Sequence, residues 1–178
     1  DLDLDAWIAN DLNQPDKVWF NDGFGNFSNS GQTLGNSNGH FVSLGDLDDD
    51  GDLDAWVANN GNQPNSVWIN NGLGNFSNSG QALGSAASIG ITLGDLDNDG
   101  DIDVVVLNTR EAPTILRNDS STSNHWVRIQ LEGTQSNREA IGARIKLIAG
   151  ELTLIDELKS GRGYQSHYGT LSHFGLGQ

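Results

Sequence analysis

The chain of 178 residues contains no cysteine, which excludes a disulfide framework and any thiolate metal site. It has no run of about 18 apolar residues, so no segment reads as a transmembrane helix. No signal-peptide pattern opens it, and it begins at Asp1, which reads as a processed product or a piece of something longer. Cations are scarce: 9 Lys and Arg stand against 24 Asp and Glu, a net charge of −15. A surface so acidic repels phosphates, which argues against nucleic acid as a partner and for cation-rich surroundings. The scarcity is uneven. Residues 1–118 carry 18 acids and 3 bases, whereas residues 119–178 carry 6 of each. The break marks two expected domains, 1–118 and 119–178.

What the sequence has in abundance is repetition. Residues 5–49 and 54–98, offset by 49, are identical at 27 of 45 positions. DAWIANDLNQPDKVWFNDGFGNFSNSGQTLG recurs as DAWVANNGNQPNSVWINNGLGNFSNSGQALG. A weaker third copy, VVLNTREAPTILRND at 105–119, has lost one or two residues. The chain thus holds about two and a half copies. AWVAN and SVWIN are short, β-branched and aromatic, and bounded by Asn, Gly and Pro, the signature of strands. NDGFGNF and NNGLGNF place Asp-Gly or Asn-Gly between two such runs, a hairpin signal. FVSLGD and GITLGD supply a further strand, and no segment shows a helical period. Four short strands per 49 residues is the size of one propeller blade.

Between those strands lies GDLDDDGDLDAW, with six carboxylates in nine positions. Two like charges about 5 Å apart repel by roughly 3 kcal/mol at an effective dielectric of 20, so such a loop either stays open in water or surrounds a cation. With Asp46 as position 1, carboxylates fall at Asp46, Asp48, Asp50 and Asp54. Gly51 takes the sharp turn, and Asp52 can offer its carbonyl. The second copy repeats this with Asp95, Asp97, Asp99, Asp101 and Asp103 around Gly100. Hard oxygen ligands alternating along a turn suit Ca²⁺ better than the more demanding Mg²⁺. An EF-hand is excluded: position 12 is Val57 or Val106, neither of which can ligate through its side chain. The alternative is a solvated acidic turn, which two copies of identical spacing disfavour.

D-x-D-x-D-G-x-x-D between strands, in repeats of this length, resembles the FG-GAP or VCBS repeats of integrin-α-like β-propellers. The resemblance implies Ca²⁺ held at Asp46, Asp48, Asp50 and Asp54 and at Asp95, Asp97, Asp99 and Asp103. Ahead of residue 5 only Asp1, Asp3 and Asp5 remain of an acidic loop, a partial site at most, with Leu2 where the glycine belongs. The last third, NHWVRIQLEGTQSNREAIGARIKLIAG…SGRGYQSHYGTLSHFGLG, resembles the ASPIC/UnbV domain that follows such repeats in cartilage-acidic-protein-like secreted proteins. That domain normally continues past the FGLG block, so it reads here as truncated.

Other residues carry weaker signals. His40, His125, His167 and His173 have no spaced partner, and no hydrolase or zincin motif occurs, so an enzyme is not expected; fragments of polysaccharide lyases carry similar repeats. Trp7 and Trp56, like Trp19 and Trp68, recur at fixed repeat positions. They read as packing between blades or, in a lectin-like alternative, as contacts to glycan. Asn26, Asn75 and Asn118 lie in N-x-S sequons. Arg138, Arg144, Lys146, Lys159 and Arg162 decorate strand surfaces or form a cationic face toward the acidic repeats of a neighbouring molecule. The expectation is an all-β chain of propeller-like blades with Ca²⁺ loops and a small C-terminal β domain. Its expected role is extracellular, calcium-binding, structural or adhesive, with head-to-tail self-association into a filament or contact with other extracellular proteins or glycans.

Overall fold

The computed structural model describes residues 3–120, 123–135, 137–161 and 170–178. These residues form fourteen strands and no helix. The repeat is legible as three blades. The first holds β1 (Ala6–Ile8), β2 (Lys17–Asn21) and β3 (Phe27–Asn29). The second is complete: β4 (Gly39–Gly45), β5 (Asp54–Asn59), β6 (Ser66–Asn70) and β7 (Phe76–Asn78), in that order across one antiparallel sheet. The third holds β8 (Ser88–Gly94), β9 (Asp103–Asn108) and β10 (Thr114–Leu116).

Register repeats with the sequence. Ala6 faces Trp19 in the first blade and Ala55 faces Trp68 in the second. In the third, Ile115 faces Val105 where Val67 faces Trp56 in the second. The offset therefore drops from 49 to 48 between β9 and β10, so the third copy has lost one residue. The expected hairpins close β2 onto β3 and β6 onto β7. Their tips are held by Asp22, whose Oδ1 accepts from the amides of Phe24 and Asn26, and by Asn71, whose Oδ1 accepts from those of Leu73 and Asn75.

Side chains alternate across each strand, so one face of a blade looks back and the other forward. Between the first and second blades, Trp7, Val18, Phe20 and Leu34 cluster with Ala55, Val57, Trp68 and Phe76. Between the second and third, Trp56, Ala58 and Val67 cluster with Ile91, Leu93, Val104 and Val106. The Gln32 side chain adds a polar clasp to the first interface. Its Nε2 donates to the Gly74 carbonyl at 2.8 Å and its Oε1 accepts from the Phe76 amide at 2.8 Å.

This packing corrects the glycan-contact expectation for Trp56. Trp56 is 5% exposed, inside the second cluster, and offers no ring face to a sugar. Trp7 is half-buried, 4.8 Å edge-to-face from Phe76 and 6.3 Å from Trp68.

The C-terminal part pairs β11 (His125–Gln130) with β14 (Leu171–Gly177), and β12 (Arg144–Ala149) with β13 (Leu152–Glu157). Ala140, Ile145, Leu158 and Phe174 form its core. Most of the expected Gly-rich connector, with Arg162 and His167, lies outside the described residues.

Candidate metal centre

Each acidic loop leaves the first long strand of its blade and returns at the next: 46–53 joins β4 to β5, and 95–102 joins β8 to β9. Strands flank both loops. One carboxylate of each loop organises the backbone around it. Asp46 accepts from the amides of Asp50 and Gly51, and Asp95 accepts from those of Asn98 and Gly100. The fourth loop residue, Asp49 or Asn98, takes a left-handed φ of 59° or 68°.

The structure divides the ten expected ligands. One oxygen from each of Asp46, Asp48 and Asp50 lies within 4.8 Å of the others, and the same holds for Asp95, Asp97 and Asp99. Asp54 and Asp103 are turned elsewhere. Asp54 accepts from Leu47 N at 3.0 Å and Asn70 N at 2.8 Å. Asp103 accepts from Leu96 N and Asn118 N, both at 2.8 Å. Both oxygens of each are taken by amides, so these buried carboxylates clasp the loop to the neighbouring strand. Asp52 and Asp101 also lie outside the convergent trios, and Asp101 faces Asp49 of the other loop. In the N-terminal remnant, Asp5 accepts from Asn21 N at 2.8 Å, the same clasp in the first blade. Asp3 lies beside Gly23, and Asp1 is outside the described residues.

The acidic loops are costly without a cation. Burial, aided by Asp49, Asp50 and Asp48, pushes the Asp46 carboxyl up to about 7. Burial pushes Asp54 up to about 7 as well, despite its two amide donors. Burial, with Asp49 facing it, raises Asp101 to about 6. Asp48 Oδ1 is buried with no hydrogen-bond partner. An orphaned carboxylate oxygen inside a convergent trio fits a hard divalent cation.

The sequence did not indicate that the C-terminal strands sit on these loops. Gly175 N donates to Asp46 Oδ2 at 2.9 Å, Gly177 N to the Asp49 carbonyl, and Asn124 Nδ2 to the Asp48 carbonyl. His173 Nε2 lies 3.1 Å from Asp49 Oδ1 and its ring stacks on Trp126, with centroids 5.6 Å apart. His173, which has no partner spaced near it in the sequence, therefore finds one in space. On the second loop, Arg128 pairs with Asp95 at 2.9 Å while lying over the Trp126 ring. Arg117 bridges Asp97 at 2.9 Å and Asp99 at 3.0 Å. The turn glycines have a second duty. A side chain at Gly100, φ 106°, would collide with Trp126, and Gly51, φ 98°, lies against the Gly175 carbonyl and Leu152.

One signal for Arg117 was present: it stands where the earlier copies have Phe20 and Ile69, a cation replacing a packing residue. No linear spacing points to His173 or Gly175. The loops thus differ: the second is neutralised by two arginines, while among the described residues no Lys or Arg pairs with Asp46, Asp48 or Asp50.

Comparison with protein-family models agrees with this geometry. Residues 46–106 match the FG-GAP-like repeat model, a span that runs from the first acidic loop into the third blade. Residues 133–178 match the ASPIC and UnbV model. None of the curated proteins matches the chain. The two family matches point to an extracellular or adhesion-type protein, and no helix among the described residues is long and apolar enough to cross a membrane. Residues 46–106 thus carry an FG-GAP-like repeat, and an ASPIC and UnbV segment follows it at 133–178.

Proposed function

We propose that the chain is a secreted, calcium-binding structural or adhesion module. In this reading the acidic loop 46–54 is a cation-dependent joint between the blades and the C-terminal β domain. The observation that supports it most is the buried, unpartnered Asp48 Oδ1 within the Asp46–Asp48–Asp50 trio. Asp46, Asp48 and Asp50 would hold the ion, which supplies positive charge among carboxylates that repel one another. Loop residues also carry the seat of β14, through Gly175 N on Asp46 and Gly177 N on the Asp49 carbonyl. Ordering the loop therefore orders the seat. Loops of this chemistry bind weakly, at about 10⁻⁴–10⁻³ M in extracellular modules, and millimolar external Ca²⁺ keeps such a site occupied. The chain performs no chemical step in this reading.

The test is thermal unfolding with Ca²⁺, with Mg²⁺ and with EDTA, beside calorimetric titration of the cation-free protein. Saturation a hundredfold above Kd should add about 2.7 kcal/mol of stability. An unchanged melting temperature with no binding heat would return the loop to a solvated acidic turn.

A further inference from the structure

The two interfaces between blades differ at one strand position. In the first, the Trp68 indole fills the space beside the linker at Leu34 and Gly35. Its ring lies 3.3 Å from where a Cβ on Gly35 would stand, and its Nε1 donates to Ser66 Oγ at 3.2 Å. One repeat on, the ladder places Leu116 at that position, opposite Val104 as Trp68 is opposite Ala55. Leu83, Gly84, Val106 and Thr114 stand at the repeat positions of Leu34, Gly35, Val57 and Ser66, so these walls are kept while leucine is too short to fill an indole's place. Leu83 is half-buried where Leu34 is 5% exposed. The nearest atom to a Cβ placed on Gly84 is Asn65 Nδ2 at 3.9 Å. A cleft of about 210 Å³ opens there, walled by Leu83, Gly84, Val106, Thr114 and Leu116, with Glu111 at its exposed rim.

We propose that this cleft binds a small N–H-bearing bicyclic aromatic, an indole with a neutral or cationic substituent. The template lies within the molecule, because the same walls close on an indole one repeat earlier. An apolar cavity of about 150 Å³ takes up benzene. The cleft, at about 210 Å³, has room for two fused rings. Its polar groups converge on such a ring. Thr114 Oγ1 accepts from Asn108 Nδ2 at 3.0 Å and keeps a second lone pair for a ligand N–H, as Ser66 Oγ takes that of Trp68. Asn65 is 4% exposed, and its Oδ1 is held by Asn59 N at 2.9 Å. Its Nδ2 has no partner among the described residues and faces the cleft, where an aromatic face would receive it. Glu111 at the rim and the net charge of −15 disfavour an anionic substituent. The cleft lies at the far end of β9 from the second acidic loop, so the site stands apart from the cation reading.

Calorimetric titration of the full chain tests the site, with four probes: indole, tryptamine, indole-3-acetate, and benzofuran, which has the shape of indole and no N–H. Indole and tryptamine should bind saturably, and indole-3-acetate should bind more weakly than tryptamine. Benzofuran should bind roughly twofold to tenfold more weakly than indole, the effect of one neutral hydrogen bond. In nuclear magnetic resonance spectra, indole should shift the Gly84 amide and the Asn65 side-chain amide and leave the Gly35 amide in place. Thr114→Ser should keep the preference for indole over benzofuran, and Thr114→Val should abolish it. Leu116→Trp should set an indole of its own in the cleft and lose indole binding. No saturable binding of indole overturns the proposal, as does binding that shifts Gly35 as much as Gly84. So does a preference over benzofuran that survives in Thr114→Val, or a folded Leu116→Trp that binds indole as the parent does. Should Leu116→Trp fail to fold, the two Thr114 variants decide.

Discussion

Arg128 and His173 stand opposite each other in the β11–β14 ladder, and each reaches the fourth residue of a different acidic loop. Arg128 donates to Asn98 Oδ1 at 3.3 Å, and His173 lies 3.1 Å from Asp49. One cross-strand pair of the C-terminal domain thus spans both loops, with the Trp126 ring against both side chains.

Arg128→Gln should weaken this joint. The Asp95 side chain is 2% exposed and would lose its counter-charge. A hydrogen bond to a charged group contributes about 1.5–3 kcal/mol, and that is the loss expected in EDTA. Added Ca²⁺ should offset part of it by supplying charge to the second loop. Denaturant melts in both buffers measure the difference; an equal loss in each would contradict the neutralising role of Arg128.

Gly175→Ala should part the C-terminal domain from the blades. A methyl group there would run into the Asp46 carboxylate and the Asp49 backbone, neither of which can withdraw without opening the loop. Overpacking of this kind costs about 1–3 kcal/mol. A single unfolding transition should split in two, with the C-terminal core of Ile145, Leu158 and Phe174 melting separately. Retention of one transition at the parent temperature would show the seat to be slack.

Asp48→Asn and Asp54→Asn should behave differently although both lie in the same nine-residue motif. Asp48 has a buried oxygen with no donor, so its amide variant should hold its melting temperature in EDTA and lose the calcium response. Asp54 clasps Leu47 N and Asn70 N with separate oxygens, and an amide can keep only one of these bonds. Its variant should lose about 1–3 kcal/mol in either buffer. Parallel melts with and without Ca²⁺ decide this, and identical behaviour of the two variants would erase the distinction.

Asp16 sets a pH dependence remote from the acidic loops. Burial raises its carboxyl above the ordinary range, although Asn10 N and Trp7 Nε1 donate to it. A raised acid is stabilising while protonated, so its contribution is present at low pH and is lost as pH rises through the carboxylate range. The second blade has Asn65 at this position, whose Oδ1 accepts from Asn59 N as Asp16 does from Asn10 N. Asp16→Asn should therefore gain stability relative to the parent as pH rises through the carboxylate range. Trp7 N–H would lose its acceptor, as Trp56 N–H already lacks one. A difference that does not change with pH would refute the burial argument.

Gln32→Ala removes both arms of the clasp between the first two blades. Two neutral hydrogen bonds at about 0.5–1.5 kcal/mol each predict a loss of about 1–3 kcal/mol. Hydrogen exchange at the Phe76 amide should quicken at the same time, and an unaltered rate there would show that the bond is not formed in solution.

The strands, the hairpins and the three blades were legible because each depends on near neighbours. Period-two alternation and the Asn-Gly and Asp-Gly tips act over a few residues, and the 49-residue offset only repeats those local patterns. The loop trios were legible for the same reason: alternate residues along a turn point the same way. The clasping role of Asp54 and Asp103 was not, because their amide donors Asn70 and Asn118 come from the end of the following strand or just beyond it. Nor was the burial of Trp56, because a tryptophan in a strand reads alike whether its outer face meets a sugar or the next blade.

What the sequence alone determined is therefore the repeat, its β character and the crowding of carboxylates in two loops. Tertiary structure decided which carboxylates converge, and it made two near-identical loops unlike. Arg117 and Arg128 reach only the second, while Gly175 and His173 reach only the first. The physical reason is distance along the chain. His173 and Asp49 are 124 residues apart and Gly175 and Asp46 are 129, and no local pattern encodes contacts formed only when a separate core of Ile145, Leu158 and Phe174 sets down on the blades.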